Sequence, residues 1–269
     1  MSLKMIEFTK MHSSGNDYVY VNTVKYPLAN PSALSIQWSA AHTGIGSDGL
    51  VLIGTSTVAD FSMRIFNADG SKELMCGNAT ICVGKYLHDK KLTTKIAVTL
   101  ETLPGVKQIQ LHVGDNGEDT VTVNMGYPSI ENLNMTVECG TLCVVGTAVS
   151  MGNPHFVVLV NDVDEVDLGR VGPLIEHHQL FEDRTNVEVA HVCADDAIRM
   201  RVWERGSGIT QGCGSGACAA AVAAMAHGCV SRSVSVHMYG GTVRVRREQG
   251  GAVWITGLAV SVFDGTISV

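Results

Sequence analysis

Three short segments of this 269-residue chain recur later in it at one fixed spacing. Ser14-Gly15-Asn16-Asp17 is answered by Met151-Gly152-Asn153-Pro154, and Met63-Arg64-Ile65-Phe66 by Met200-Arg201-Val202-Trp203. Cys76-Gly77-Asn78-Ala79 is answered by Cys213-Gly214-Ser215-Gly216, and every pair lies 137 positions apart. Three matches at one offset, with no insertion between them, imply two homologous halves. Each half then needs its own core. A chain that is 45% hydrophobic and 17% charged has the apolar material for both.

Alternating or β-branched segments bounded by Gly, Pro, Asn or Asp predict strands at 61–66, 96–100, 107–113, 120–125 and 141–150. Further strands are expected at 155–160, 198–203, 234–237, 242–246 and 252–255. After each Cys-Gly comes a helical segment, 78–88 in the first half and 215–225 in the second; alanine dominates the second, and Gly228 offers a stop. The fold class is α+β: two pseudo-symmetric domains, each a mixed β-sheet around a central helix, with an active-site cleft expected between them. The first domain is expected to cover residues 1–117 and the second 118–262, with 263–269 returning to the first. Asn116-Gly117 reads equally as a hairpin turn or an interdomain hinge.

Several function classes are disfavoured. The balance of 19 Lys and Arg against 26 Asp and Glu, net −7, without a basic run, argues against nucleic-acid binding. The N-terminal segment lacks the apolar core of a signal peptide, and the small-apolar run Ala217 to Ala226 is far short of a bilayer span. Gly44-x-Gly46-x-x-Gly49 lacks the Lys-Ser/Thr ending of a phosphate loop. Eight cysteines in a chain with good cores suggest free thiols in a reducing cytosol. Cys139 and Cys143 have no second pair at zinc-ligand spacing.

Cys76 and Cys213 hold the same place in the repeat, each opening a helix. Unpaired amides and the helix dipole at such a position favour negative charge, which lowers a thiol pKa and holds a carboxylate. Two thiols approaching one molecule from opposite sides suit racemisation or epimerisation, since a proton lost from one face must return to the other. The amides of Gly77-Asn78 and Gly214-Ser215 are candidate donors to the carboxylate of the developing carbanion. The same residues also admit a plainer reading, as buried small side chains or as a disulfide pair.

The chain also carries Lys10-Met11-His12-Ser13-Ser14-Gly15-Asn16-Asp17, Thr43-Gly44-Ile45-Gly46-Ser47-Asp48-Gly49, Arg64-Ile65-Phe66-Asn67-Ala68-Asp69-Gly70-Ser71 and Met75-Cys76-Gly77-Asn78. Met151-Gly152-Asn153-Pro154-His155, Arg184-Thr185-Asn186-Val187, Trp203-Glu204-Arg205-Gly206, Cys213-Gly214-Ser215-Gly216-Ala217-Cys218 and Phe263-Asp264-Gly265 follow in order. In these segments the sequence resembles the diaminopimelate epimerase family over almost its whole length. The resemblance implies cofactor-independent epimerisation of LL-2,6-diaminopimelate to the meso form, with Cys76 and Cys213 as the acid/base pair. It implies that His155 and Glu204 support the reaction near the reacting amine. Gly77, Asn78, Gly214 and Ser215 would cradle the reacting carboxylate. Asn67, Asn153, Asn186 and Arg205 would hold the distal end of the substrate, with Asn16 in the same pocket. A bidentate Arg and several amides suit a zwitterionic end without competing for the proton. Asp48, Asp69, Gly44, Gly46 and Gly70 read as loop-fixing residues. The resemblance further implies no organic cofactor, no metal, a small-molecule amino-acid substrate, a cytoplasmic homodimer and a place in lysine biosynthesis.

One departure bears on substrate choice. The family usually has a second Gly and an Arg where this chain has Ala79 and Ile81, and Thr where it has Ser215. Two alternatives therefore stand beside diaminopimelate: a racemase of another amino acid such as histidine, and an amino-acid-binding protein without turnover.

Overall fold

The computed structural model describes residues 4–114, 118–140 and 142–269; the Asn116-Gly117 turn or hinge, with the boundary placed after 117, lies outside them. The chain forms two compact units, Met1–Val123 with Gly257–Val269, and Asn124–Thr256.

The first unit opens with β1 (Met5–Ser13), β2 (Asn16–Asn22), α1 (Pro31–Ser39), β3 (Gly49–Gly54), β4 (Phe61–Asn67) and the short β5 (Lys72–Glu73). It continues through α2 (Gly77–Asp89), β6 (Ala97–Thr102), β7 (Gly105–His112) and the start of β8 (Thr120–Gly126). Pairing runs β1 to β2 antiparallel, β2 to β3 parallel, β3 to β4 antiparallel, β4 to β6 parallel, then β6 to β7 to β8 antiparallel. The second unit has β9 (Ser129–Cys139), β10 (Leu142–Ser150), β11 (Pro154–Leu159), α3 (Leu168–Glu176), β12 (Asn186–Ala194), β13 (Ala197–Glu204) and β14 (Gly208–Ile209). After these come α4 (Gly214–Ala226), β15 (Ser233–Met238), β16 (Gly241–Arg247) and β17 (Val253–Leu258). Its order repeats the first: β10 to β11 antiparallel, β11 to β12 parallel, β12 to β13 antiparallel, β13 to β15 parallel, then β15 to β16 to β17 antiparallel.

The repeat of 137 carries through to the elements. Adding it to the bounds of β1, α1 and α2 gives those of β10, α3 and α4, residue for residue. The outer strand of each sheet differs in origin. In the second unit β9 precedes β10 and pairs with it, whereas the equivalent partner of β1 is β18 (Val260–Ser268), from the far end of the chain.

Strand alternation divides each unit into two cores. In the first, Val19, Val21, Leu50, Leu52 and Phe66 face outward and pack with Trp38 of α1. The alternate residue Tyr20 turns inward, where its hydroxyl donates to the Ala79 carbonyl of α2 at 3.3 Å. In the second, Phe156, Val187 and Val189 pack with Leu168 and Ile175 of α3. Residues between them, His155 and Glu188, therefore belong to the inner face. α4 contacts strands from β9 at one side of the sheet to β16 at the other, so the sheet curls around it. That helix is buried at ten positions, eight of them Ala or Gly, and small side chains let strands approach it from every direction.

All eight cysteines are free thiols. Among the described residues no helix is long and apolar enough to cross a membrane. Helices α1 and α3 were not anticipated. α3 carries Gly169, Gly172 and Pro173, which lower helix propensity, and is held by the apolar face it presents to β12 and β13.

Candidate active site

The extended backbone of Cys76 makes it the N-cap of α2, and its sulfur accepts from the Ala79 amide at 3.5 Å. The thiol donates to Asn16 Oδ1 at 3.2 Å, and Asn16 Nδ2 in turn donates to Asp48 Oδ2 at 2.7 Å. Asp48 also accepts from the Asp17 amide at 3.0 Å, so the carboxylate fixes the turn after β1 as well as the amide of Asn16. Burial raises the Asp48 carboxyl, and the Asp17 amide opposes that rise. Tyr18 is buried beside Cys76, and burial first, then the neighbouring sulfur, raise its pKa well above the usual phenol value. Asn78 is buried in the first turn of α2. Asn67 ends β4, where its amide reaches Ser71 Oγ at 3.1 Å and Glu73 Oε2 at 3.5 Å.

Cys213 is the N-cap of α4, again with an extended backbone, and is only 7% exposed. Its sulfur lies 3.5 Å from Ser215 Oγ, which accepts from Asn153 Nδ2 at 3.5 Å. Asn153 Oδ1 is 3.1 Å from His155 Nε2, and His155 Nδ1 is 2.7 Å from Glu188 Oε1. Glu204 lies close enough to Cys213 to act on it electrostatically, and its carboxylate accepts from the Thr210 hydroxyl. The expectation that a helix N-terminus lowers the thiol pKa is corrected here. Burial, then the charges of Glu204 and Glu188, push Cys213 well above the usual thiol value, outweighing Ser215 and the Gly216 amide. Burial likewise raises the Glu204 carboxyl.

The second unit thus gathers Asn153, His155, Glu204, Cys213 and Ser215, with Gly214 opening α4. Asn186 and Arg205 form a neighbouring pair through the backbone. Asn186 Oδ1 accepts from the Arg205 amide at 3.0 Å, while its Nδ2 donates to the Pro154 carbonyl at 2.8 Å. The Arg205 guanidinium donates to the Asp183 carbonyl at 3.0 Å. In the first unit Asn16, Cys76, Gly77 and Asn78 stand at one helix start, and Asn67 lies in the following turn of β4.

Sequence reasoning missed Tyr18 and Glu188. Tyr18 was within reach of the repeat, because adding 137 to it lands on His155. Glu188 sits two residues after Asn186 in an otherwise apolar strand, an unusual place for a carboxylate.

The loop holding Glu204 and Arg205 is anchored by Glu176 of α3. Its buried carboxylate accepts from Trp203 Nε1 at 2.7 Å, the Gly206 amide at 2.9 Å and Arg184 at 3.2 Å. Burial alone would raise this carboxyl, but those donors and nearby His177 lower it below the ordinary Glu value. A lowered folded-state pKa contributes stability above the unfolded value of about 4.3 and loses it as pH falls through the folded value. Glu176→Gln is therefore expected to lower Tm at pH 7, with the gap to the parent closing below about pH 4. Thermal melts across that range check it; a gap independent of pH would contradict the assignment.

Against known proteins, the profile described as diaminopimelate epimerase matches residues 8–131 and 147–262. The chain belongs to the diaminopimelate epimerase family. The diaminopimelate epimerase of Parabacteroides distasonis is 55% identical over 99% of both chains, and that of Bacteroides thetaiotaomicron 53% over 97% of both. The Methanococcus maripaludis enzyme is 42% identical over 98% of this chain and 100% of its own. Two solved structures share the fold at low identity. A Bacillus anthracis phenazine biosynthesis protein of the PhzF family is 17% identical, with TM-score 0.76 over 99% of this chain and 100% of its own. A hydroxyproline epimerase from Agrobacterium vitis is 16% identical, with TM-score 0.71 over 98% and 93%. The doubled α+β architecture is the one these neighbours share.

Proposed function

We propose that this isomerase interconverts LL- and meso-2,6-diaminopimelate without a cofactor, Cys76 and Cys213 working on opposite faces of one α-carbon. The observation that carries the reading is the paired N-cap position of the two thiols, at equivalent places in two duplicated units. In one direction the Cys76 thiolate takes the α-proton and the Cys213 thiol returns one to the other face. The two sulfurs end with their protons exchanged, and the reverse reaction resets them. Hydrogen bonding and burial support this starting assignment. Cys76 is half-buried and its sulfur accepts from the Ala79 amide, whereas Cys213 is buried beside two carboxylates, and burial and those charges favour the neutral thiol.

The first amides of α2 and α4, at Gly77, Asn78, Gly214 and Ser215, stand at the positive end of each helix dipole and suit the reacting carboxylate. Glu204 and His155 serve the reacting amine. Asn67, Asn153, Asn186 and Arg205 recognise the distal amino-acid end, and Asn16 orients Cys76. Ile81, at the family's usual Arg position, is fully buried beside the α2 core, so the departure is absorbed in packing and diaminopimelate stays the favoured substrate over histidine. Exposed thiols at Cys143, Cys193 and Cys229 suit a reducing cytoplasm. The homodimer rests on the family resemblance.

Proton NMR in deuterated water with reduced enzyme tests the substrate. The α-proton signals of LL- and meso-diaminopimelate are expected to disappear at the inverting centre, while L-histidine, L-lysine and L-glutamate keep theirs. Exchange with another amino acid alone would overturn the substrate, and no exchange at all would favour a binding protein.

A further inference from the structure

Among the described residues Glu188 is the one carboxylate with a buried oxygen that lacks a hydrogen-bond partner. Its residue is 0% exposed, Oε1 lies 2.7 Å from His155 Nδ1, and Oε2 is buried with no hydrogen-bond partner. A buried carboxyl oxygen left without a hydrogen-bond partner costs stability. The fold does not require that cost. In the first unit the equivalent position of β3 is Val51, which fills the same inner-face place and is also 0% exposed. His155 has the same relation to Tyr18, so the second unit carries an imidazole and a carboxylate where the first carries a phenol and an isopropyl group.

The backbone is shaped to admit the carboxylate. A Cβ at Gly216 would lie 2.7 Å from Glu188 Oε1 and 3.3 Å from Cys213 Cβ. A side chain at 216 would push the Glu188 carboxylate from this place, and the corresponding residue of α2, opposite no carboxylate at position 51, is Ala79. Glu188 therefore heads a continuous polar chain through His155, Asn153 and Ser215 to the sulfur of Cys213, with spacings of 2.7, 3.1, 3.5 and 3.5 Å.

We propose that Glu188 is a positioning residue for the epimerisation: by taking the Nδ1–H of His155 it fixes the ring, and through Asn153 and Ser215 it sets the direction of the Cys213 thiol. The inference rests on the assignment of Cys213 and His155 to the reaction. It deepens that assignment by naming the group that holds them. Metal-bound histidines are oriented by carboxylates in a comparable way, and loss of the outer partner there typically costs ~10–100-fold.

The test compares E188V and E188Q with the parent and with C213A, in LL-diaminopimelate turnover and in proton NMR of the His155 ring. Valine is the residue the duplicated unit already accommodates at this place, and glutamine keeps an oxygen acceptor for Nδ1–H. E188V is expected to lower kcat about 10–100-fold with KM little changed, and to abolish the hydrogen-bonded Nδ1 proton resonance. E188Q is expected to retain that resonance, shifted upfield, and to recover part of kcat. A parent-like kcat in E188V, or a loss of kcat with the His155 resonance intact, would overturn the proposal while an inactive C213A upheld the two-thiol reading. Full turnover by C213A would overturn that reading and this proposal with it.

Discussion

Cys76→Ala and Cys213→Ala are each expected to remove inversion of diaminopimelate, lowering kcat by about 1,000-fold or more while the protein stays folded. A positioned acid or base contributes roughly 100- to 10,000-fold, and a two-base inversion fails when either partner is missing. Folding survives because neither sulfur holds the architecture. Cys76 sits half-buried at a helix cap, and α2 keeps its core contacts through Ile81, Val83 and Leu87. Cys213 is buried, yet its replacement removes one sulfur beside two carboxylates that already disfavour charge there. The measurement separates inversion from exchange. Each variant is followed by circular dichroism for fold, by optical rotation for inversion and by NMR for α-proton loss in deuterated water. Inversion by either variant at more than about a tenth of the parent rate would be incompatible with opposed thiols.

A large structural effect is expected at Gly44→Ala, in the turn that follows α1. A Cβ there would lie 2.4 Å from the Gln37 carbonyl oxygen and 2.6 Å from that of Trp38. Both are backbone atoms, so no side-chain rotation relieves the clash. The Trp38 carbonyl also accepts from the Ile45 and Gly46 amides at 2.7 and 2.9 Å, and the Trp38 ring is 1% exposed in the outer core. Moving this carbonyl means moving the helix. A loss of about 3 kcal/mol is expected, comparable with severe overpacking, and about 6–12 °C in Tm. A variant melting within about 2 °C of the parent would show that the turn yields more readily than its bonding indicates.

Much of this fold was legible because duplication converts weak local signals into a repeated one. The 137-residue offset, read from three tetrapeptides, also relates α1 to α3 and β1 to β10, of which only β10 was assigned from its own pattern. β2 and β3 escaped notice for a physical reason. Buried on both faces, they read as continuous apolar runs such as Gly49–Gly54, without the alternation that marks a half-exposed strand. The helix starts at Cys76 and Cys213 were read to within a residue, since Cys-Gly after a strand and loop recurs in both halves. What escaped was the environment of Cys213. Pattern places both thiols at a dipole that favours charge, but at Cys213 burial and two carboxylates oppose it, and those carboxylates come from β12 and β13 through tertiary packing. Spacing along a chain does not report such neighbours.

The origin of β18 also orders events during synthesis. The second unit is contiguous in sequence, so all its strands leave the ribosome in one stretch. The first must wait. Its sheet has β1 near the beginning of the chain, yet the strand that covers that edge is made after the whole second unit, which at ~5–20 residues per second is a delay on the order of ten seconds. Throughout that interval β1 presents an unpaired row of backbone donors and acceptors, the kind of edge on which nascent chains associate. The half that begins translation is thus the half that finishes folding last.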